Sequence, residues 1–284
     1  MNSSASSTEH SFSTELTFST AEPGEHQRWS TWPATQPSER GPEPRPDWLV
    51  TSAAAFDTEL GILKSGKEAD VHLIERAIPD APPGVGTSVV LAAKRYRGAE
   101  RLDFHRSSQY EEGRTVRRSR DARAIGRGSR YGRGIAATHW AFAEFNALSE
   151  LRSAGAAVPY PVQISGTELL LEFIGTGLQA APRLHTLRVG PRELQGLREQ
   201  VIDFMHVAAA AGYAHCDLSA YNILVHDGRV WVIDLPQIVD LAVNPTGLDY
   251  LHRDCVNVIE WFARHGVAGD ADKLFAELVA AIYE

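Results

Sequence analysis

The residues best suited to chemistry form one short motif in the last third of the chain. Its pattern is His-x-Asp-x4-Asn, carried by His215, Asp217 and Asn222, and Asp234 follows twelve residues later at the end of an apolar run. Phosphoryl transfer from a nucleotide needs a carboxylate that orients the attacking hydroxyl, and oxygen ligands that hold a divalent metal on the phosphates. The pattern therefore predicts Asp217 as catalytic base, Asn222 and Asp234 as metal ligands, and His215 as a support of the loop.

The motif alone is weak evidence, because chance produces it in roughly one or two chains of this length per hundred. Its surroundings strengthen it. Two short apolar runs, 223–225 and 230–233, are joined by Asp227-Gly228, which is a strong hairpin signal. The hairpin places Asp234 at a strand end, where a metal ligand would be held firmly.

Nucleotide chemistry also requires a cation at the phosphates, and Lys94 is suited to that role. It lies in the apolar run 88–96, which the pattern predicts to be a strand. Its expected partner is a glutamate on the following helix, predicted over residues 136–151. Glu144 fits best, with Glu150 as the alternative, and the ion pair would preorganise the lysine toward phosphate oxygens.

Two further segments could contact a nucleotide. Ser65, Gly66 and Lys67 stand where a phosphate-binding loop belongs, although the segment has one glycine and is weak as a motif. Its backbone amides and the Ser65 hydroxyl could cradle phosphate. The backbone groups of Glu172 and Ile174, at the end of the apolar run 169–174, could face an adenine ring, although an ordinary buried strand explains that run equally well.

The elements that must position these residues change in character along the chain. Residues 1–48 are rich in Ser, Thr, Glu and Pro and are predicted to form a flexible tail. Strand patterns dominate residues 49–174 and helical patterns dominate residues 175–284. We therefore expect an α+β fold in which a β-rich N-lobe and a short helical C-lobe enclose a cleft.

The charge is distributed unevenly. The chain carries a formal net charge of −8, but the stretch from Arg101 to Arg133 holds ten arginines against four acidic residues, a net charge of +6. Interspersed glycines predict a basic flexible loop over about 97–135. Contact with RNA or a ribonucleoprotein is one interpretation of this loop, and a merely solvated face is the other.

Cysteine content and hydropathy bear on the compartment. The two cysteines, Cys216 and Cys255, are too few for a disulfide framework or a cysteine-rich zinc site. The sequence contains no apolar stretch of the roughly 18–20 residues that cross a bilayer, and its first thirty residues have no apolar core like that of a signal peptide. We expect a cytoplasmic protein.

These motifs resemble those of the RIO family of atypical serine/threonine protein kinases, in the branch without an N-terminal winged helix. The resemblance covers about residues 56–266 and rests on the segments 61–71, 93–96, 140–144, 171–175, 215–222, 233–237 and 253–258. It implies a two-lobed protein-kinase-like fold, ATP with Mg²⁺ (or Mn²⁺) as cofactors, and autophosphorylation on serine. It further implies, for some members, an aspartyl-phosphate at the position of Asp234 and a role in ribosome maturation.

The chain departs from ordinary protein kinases in two places. Asp234-Leu235-Pro236 replaces Asp-Phe-Gly, and no Ala-Pro-Glu segment follows to dock a peptide. Three hypotheses result: a protein kinase, an ATPase-driven scaffold that binds ribosomal particles or RNA through the arginine-rich loop, and a small-molecule phosphotransferase. The basic insertion and the short C-lobe argue against the third.

Overall fold

The computed structural model describes residues 22–82, 84–97 and 130–283. Its N-terminal half is built on one antiparallel sheet with strand order β1-β2-β3-β4-β6-β5. A 24-residue helix, α1 (Arg130–Ser153), packs against this sheet. The strands are β1 (Gln27–Trp29), β2 (Phe56–Ser65), β3 (Ala69–Ala77), β4 (Ser88–Tyr96), β5 (Pro161–Ser165) and β6 (Glu168–Glu172).

Strand β4 shows how the sequence pattern positions the site. Side chains alternate between the two faces of a strand. Leu91 and Ala93 pack in a small apolar cluster on the outer face, whereas Lys94 and Tyr96 reach Glu144 of α1. A slip of one residue would carry the lysine to the wrong side, so the apolar cluster fixes the register on which the site depends.

The N-terminal segment corrects the predicted flexible tail. Residues 1–21 lie outside the described residues, but the prediction is wrong for residues 22–48. Gln27–Trp29 pairs with β2, and the Trp32 side chain is buried in the outer apolar cluster. The isolated apolar residues of this segment are too few to form a core of their own. The segment folds because these residues cover an apolar face of the sheet.

Helix α1 corrects the C-terminal boundary of the predicted basic loop. Residues 98–129 lie outside the described residues, whereas the helix begins at Arg130 rather than at 136. Gly132 and Gly134 had suggested a loop. Each glycine costs a helix about 1 kcal/mol relative to alanine, which is small beside the packing of the following turns, where Ala137 and Ala141 are fully buried.

The second half of the chain is mainly helical around the larger apolar core. Its predicted hairpin, β10 (Ile223–His226) with β11 (Arg229–Val232), is confirmed, with Asp227 and Gly228 both at positive φ as a two-residue turn requires. No helix in the described ranges is both long and apolar enough to span a membrane. The remaining elements are β7 (Gly175–Thr176), β8 (Gln179–Ala180), α2 (Pro191–Ala210), β9 (Tyr213–Ala214), β12 (Val239–Asp240), α3 (Gly247–Arg264) and α4 (Ala271–Ile282).

Candidate active site

A cleft of about 500 Å³ lies between the two halves. Strands β2 and β4 contribute Lys64 and Lys94 to it, and the connection after β6 contributes Ile174. Asp217 and Asp234 line the opposite side. The structure therefore brings the predicted base, one predicted metal ligand and the predicted phosphate-binding lysine to a single cavity.

Lys94 is the electrostatic centre of the cleft. Its Nζ lies 2.7 Å from Oε1 of Glu144 and 2.9 Å from Oδ1 of Asp234. Burial alone would lower the pKa of Lys94, but the two carboxylates together raise it well above its ordinary value. In return, Lys94 lowers the pKa of Asp234 to about 2. Lys94 and Asp234 are thus both charged at neutral pH.

Glu144 is held from several directions. Oε2 accepts a hydrogen bond from the buried Tyr96 hydroxyl, and Oε1 accepts one from the backbone N–H of Leu235, at 3.1 Å. The carboxylate therefore joins β4, α1 and the segment after Asp234. The predicted pairing of Lys94 with Glu144 is confirmed, and the alternative partner, Glu150, instead accepts a hydrogen bond from Tyr213.

The loop that carries the proposed base is internally braced. Nδ2 of Asn222 donates to the main-chain carbonyl of Asp217 at 2.9 Å and to its Oδ2 at 3.2 Å. Nδ1 of His215 accepts from the Asp217 N–H, so the ring is the tautomer whose Nε2–H donates to the carbonyl of Ile233 at 3.2 Å. The Asp217 side chain is exposed at the cleft. His215 is thus a support, as predicted.

The predicted phosphate loop reaches the cleft only in part. Gly66 and Lys67 line it, but Ser65 does not. The Ser65 hydroxyl donates to Asp70 at 2.6 Å, and the Gly66 N–H donates to the carbonyl of Ala69 at 2.9 Å. A Cβ on Gly66 would lie 2.9 Å from that carbonyl oxygen, so the turn requires glycine. The sequence pattern could not show that these two donors are used within the turn.

The segment after β6 presents its backbone to the cleft. Glu172 donates its N–H to the carbonyl of Tyr160 at 2.9 Å, so that N–H is not available to a ligand. The Ile174 carbonyl accepts from Ala181 at 2.9 Å, while the Ile174 N–H makes no hydrogen bond within the described part of the chain. A hydrogen-bonding edge of a base would therefore meet a free donor at Ile174.

Comparisons with known proteins agree with this geometry. Residues 89–274 match the RIO domain family, a range that includes Lys94, Glu144, Asp217, Asn222 and Asp234. The RIO-type serine/threonine-protein kinase Rio1 of Haloferax volcanii is 34% identical over 215 residues, which cover 76% of this chain and 67% of the relative. The chain belongs to the RIO family of serine/threonine-protein kinases.

Solved structures give the same fold. The Rio2 kinase of Chaetomium thermophilum superimposes with a TM-score of 0.56 at 19% identity, covering 79% of this chain and 63% of the Rio2 chain. A second Rio2 structure from that organism, described as an ADP/Mg²⁺-phosphoaspartate complex, gives a TM-score of 0.52 at 18% identity and covers 79% of this chain and 66% of the Rio2 chain. The predicted two-lobed, kinase-like α+β fold is thereby confirmed.

Sequence reasoning missed the role of Asp254 in this RIO domain. This carboxylate is 1% exposed and accepts the backbone N–H groups of Cys216, at 2.8 Å, and Leu218, at 3.0 Å. It thereby clamps the main chain on both sides of Asp217. Cys216 has a φ of 69°, a conformation that costs a non-glycine residue free energy and that Asp254 helps to hold. The one sequence feature that could have indicated this role is the Arg-Asp pair at 253–254, which lies within a strongly amphipathic helix.

The RIO domain's cleft suits ATP with Mg²⁺. The described residues contain no group of three or more His, Cys, Asp or Glu side chains that could hold a metal by themselves. The Nδ2 group of Asn222 donates to Asp217, so its Oδ1 is left as an acceptor, and Asp234 adds a carboxylate oxygen. Two protein oxygens suit Mg²⁺, which takes its other ligands from phosphates and water.

Proposed function

We propose that this chain is an ATP- and Mg²⁺-dependent serine/threonine kinase that transfers the γ-phosphoryl group to a protein hydroxyl, including one of its own. The observation that carries the proposal is the convergence of Lys94, Glu144, Asp217 and Asp234 on one cleft, with Asn222 hydrogen-bonded to Asp217. Cation, metal ligands and base are the parts that phosphoryl transfer requires.

Each residue has one task in this reaction. Lys94, fixed by Glu144, neutralises phosphate oxygens. Asn222 and Asp234 would hold Mg²⁺, which would offset the charge that develops during transfer. The Asp217 carboxylate accepts a hydrogen bond from the attacking hydroxyl and so orients it. Because Asp217 is exposed, a hydroxyl on another protein can reach it.

A second candidate is ATP hydrolysis through Asp234. A solved structural neighbour is described as a phosphoaspartate complex. Here Asp234 is ionised, faces the cleft and is 42% exposed in its side chain. In this reaction a carboxylate oxygen attacks the γ-phosphorus, ADP leaves, and water then cleaves the acyl-phosphate to free phosphate and Asp234.

Three further predictions accompany these two candidate functions. Binding of RNA or a ribosomal particle rests on the arginine-rich stretch 101–133, most of which lies outside the described residues. Mn²⁺ as a replacement for Mg²⁺ and a cytoplasmic location also remain predictions from the sequence and the family resemblance.

One labelling experiment separates the two candidate functions. The full chain is incubated with γ-labelled ATP and Mg²⁺, alongside Asp217→Ala, Asp234→Ala and a control, Asp203→Ala, which changes an exposed carboxylate on α2. We expect hydroxylamine-stable label on serine, reduced about 10²–10⁴-fold in Asp217→Ala and unchanged in the control. Undiminished label in Asp217→Ala would refute the kinase assignment. Hydroxylamine-labile label that only Asp234→Ala abolishes would establish the ATPase instead.

A further inference from the structure

Within the described ranges, three cations that line the cleft, Lys64, Lys67 and Arg183, have no ion-pair partner. The charge of Lys94 is matched by Glu144 and Asp234. Lys64 and Arg183 line the same cavity, yet within the described ranges neither lies within ion-pair distance of a carboxylate. Cations without a carboxylate partner leave a positive potential in the cavity that they line, and that potential favours an anionic ligand.

Arg183 belongs to the C-terminal side of the cleft and is held there. Its guanidinium donates to the carbonyl of Tyr221, the residue before Asn222. Its main chain forms a bridge with Leu224 in β10. The guanidinium is therefore anchored next to a proposed metal ligand, although it has hydrogen-bonding capacity left over, since Tyr221 takes up one of its five N–H groups.

Lys64 approaches from the opposite side. It lies near the end of β2, opposite Val71 of β3 and two residues before Gly66. The Lys64 side chain makes no hydrogen bond in the part of the chain that the structure describes, although its main chain pairs with β3. Lys67, in the predicted phosphate loop, is a further cleft cation from this side. The charge of Arg183, and not that of Lys67, is among those that act on Lys64.

The two cations affect each other across the cleft. Burial lowers the pKa of Lys64, and the positive charge of Arg183 lowers it further, while the charge of Asp234 acts in the opposite direction. Like charges on opposite walls repel, and that repulsion is relieved when an anion lies between them.

We propose that Lys64 and Arg183 form a clamp that grips the phosphates of a nucleoside polyphosphate, with one cation from each lobe. The inference rests on the proposed function and adds to it two specificity-determining residues for the phosphate chain. Since each lobe supplies one cation, binding of the polyanion favours the approach of the two lobes. The clamp should add no affinity for a nucleoside without phosphates.

The test is a set of calorimetric titrations of the full chain with Mg²⁺-ATP and with adenosine. The variants are Lys64→Met, Arg183→Met, the double variant, and a control, Lys273→Met, which changes an exposed lysine on α4. We expect each single variant to weaken ATP binding about tenfold, as for the loss of a charged hydrogen bond. Adenosine binding should stay within about twofold. In the double variant the losses should be less than multiplicative, because the two residues grip the same group.

Several outcomes would overturn the clamp. If the wild-type chain binds ATP and both single variants bind it equally well, the clamp is wrong while the proposed function stands. If Arg183→Met weakens ATP and adenosine equally, Arg183 only supports the Tyr221 carbonyl. If the wild-type chain does not bind ATP, the proposed function fails together with the clamp. Higher salt should weaken ATP binding less in the double variant than in the wild type.

Discussion

The backbone conformation of two residues in this site is determined by their neighbours more than by their residue type. Asp234 and Cys216 both adopt positive φ, at 68° and 69°, although neither is glycine. Both are held by the network around the cleft: Lys94 binds the carboxylate of Asp234, and Asp254 binds the N–H of Cys216. Backbone strain of this kind persists only where surrounding contacts over-determine it.

The ionisation of Asp234 should depend on Lys94. The lysine holds the pKa of Asp234 at about 2, so the folded chain binds this proton less readily than the unfolded chain, where the pKa is about 4. The resulting stabilisation is present above about pH 4 and is lost as the pH falls toward 2. In Lys94→Met the pKa of Asp234 should rise, measured by carboxyl ¹³C NMR titration. An unchanged pKa in the variant would show that another group holds Asp234 ionised.

At the scale of elements, the N-terminal segment is part of the N-lobe. Gln163 of β5 donates to Thr31 Oγ1 at 2.7 Å and to Thr35 Oγ1 at 3.0 Å, and it accepts from the fully buried Arg76 at 2.9 Å. Arg76 also pairs with Asp57 at 2.7 Å. This buried network leaves each polar group partnered, so the segment is specified by hydrogen bonds as well as by apolar packing.

Two tryptophans test that conclusion. Trp32 is 4% exposed within the outer apolar cluster, whereas Trp29 is 44% exposed. Trp32→Ala should therefore lower the free energy of unfolding by about 3–5 kcal/mol, and Trp29→Ala by clearly less. Urea denaturation of both variants measures the difference. No loss in Trp32→Ala would show that the segment is a tail after all.

The sequence predicted the site better than the elements around it. Lys94, Glu144 and the hairpin before Asp234 could be found because residue type, spacing and strand pattern agreed. Residues 22–48 could not, because their structure depends on a face supplied by strands distant in the chain. The Ser65 hydroxyl was misjudged for a similar reason: its acceptor, Asp70, becomes a neighbour only when β2 and β3 pair.

At the scale of the molecule, the two lobes are joined through α1 as well as through the chain connection after β6. Glu144 contacts Leu235, and the Tyr213 hydroxyl donates to Glu150 at 2.6 Å. The N–H of Val232, at the end of β11, donates to the carbonyl of Ala157 at 2.8 Å. These contacts link the helix and its C-terminal connection to the second half, so a ligand in the cleft acts on both lobes.

Nucleotide binding should therefore stabilise the molecule as one unit. A ligand at 100 times its Kd adds about 2.7 kcal/mol to the free energy of unfolding. With Mg²⁺-ATP at that ratio, amide hydrogen exchange should slow in β4 and in α2 alike, because Lys94 and Asp217 line opposite sides of the same cleft. Lys94→Met serves as the control and should lose most of the effect at the same ATP concentration. Protection confined to β4 would show that the lobes unfold independently and that the contacts through Glu144 do not couple them.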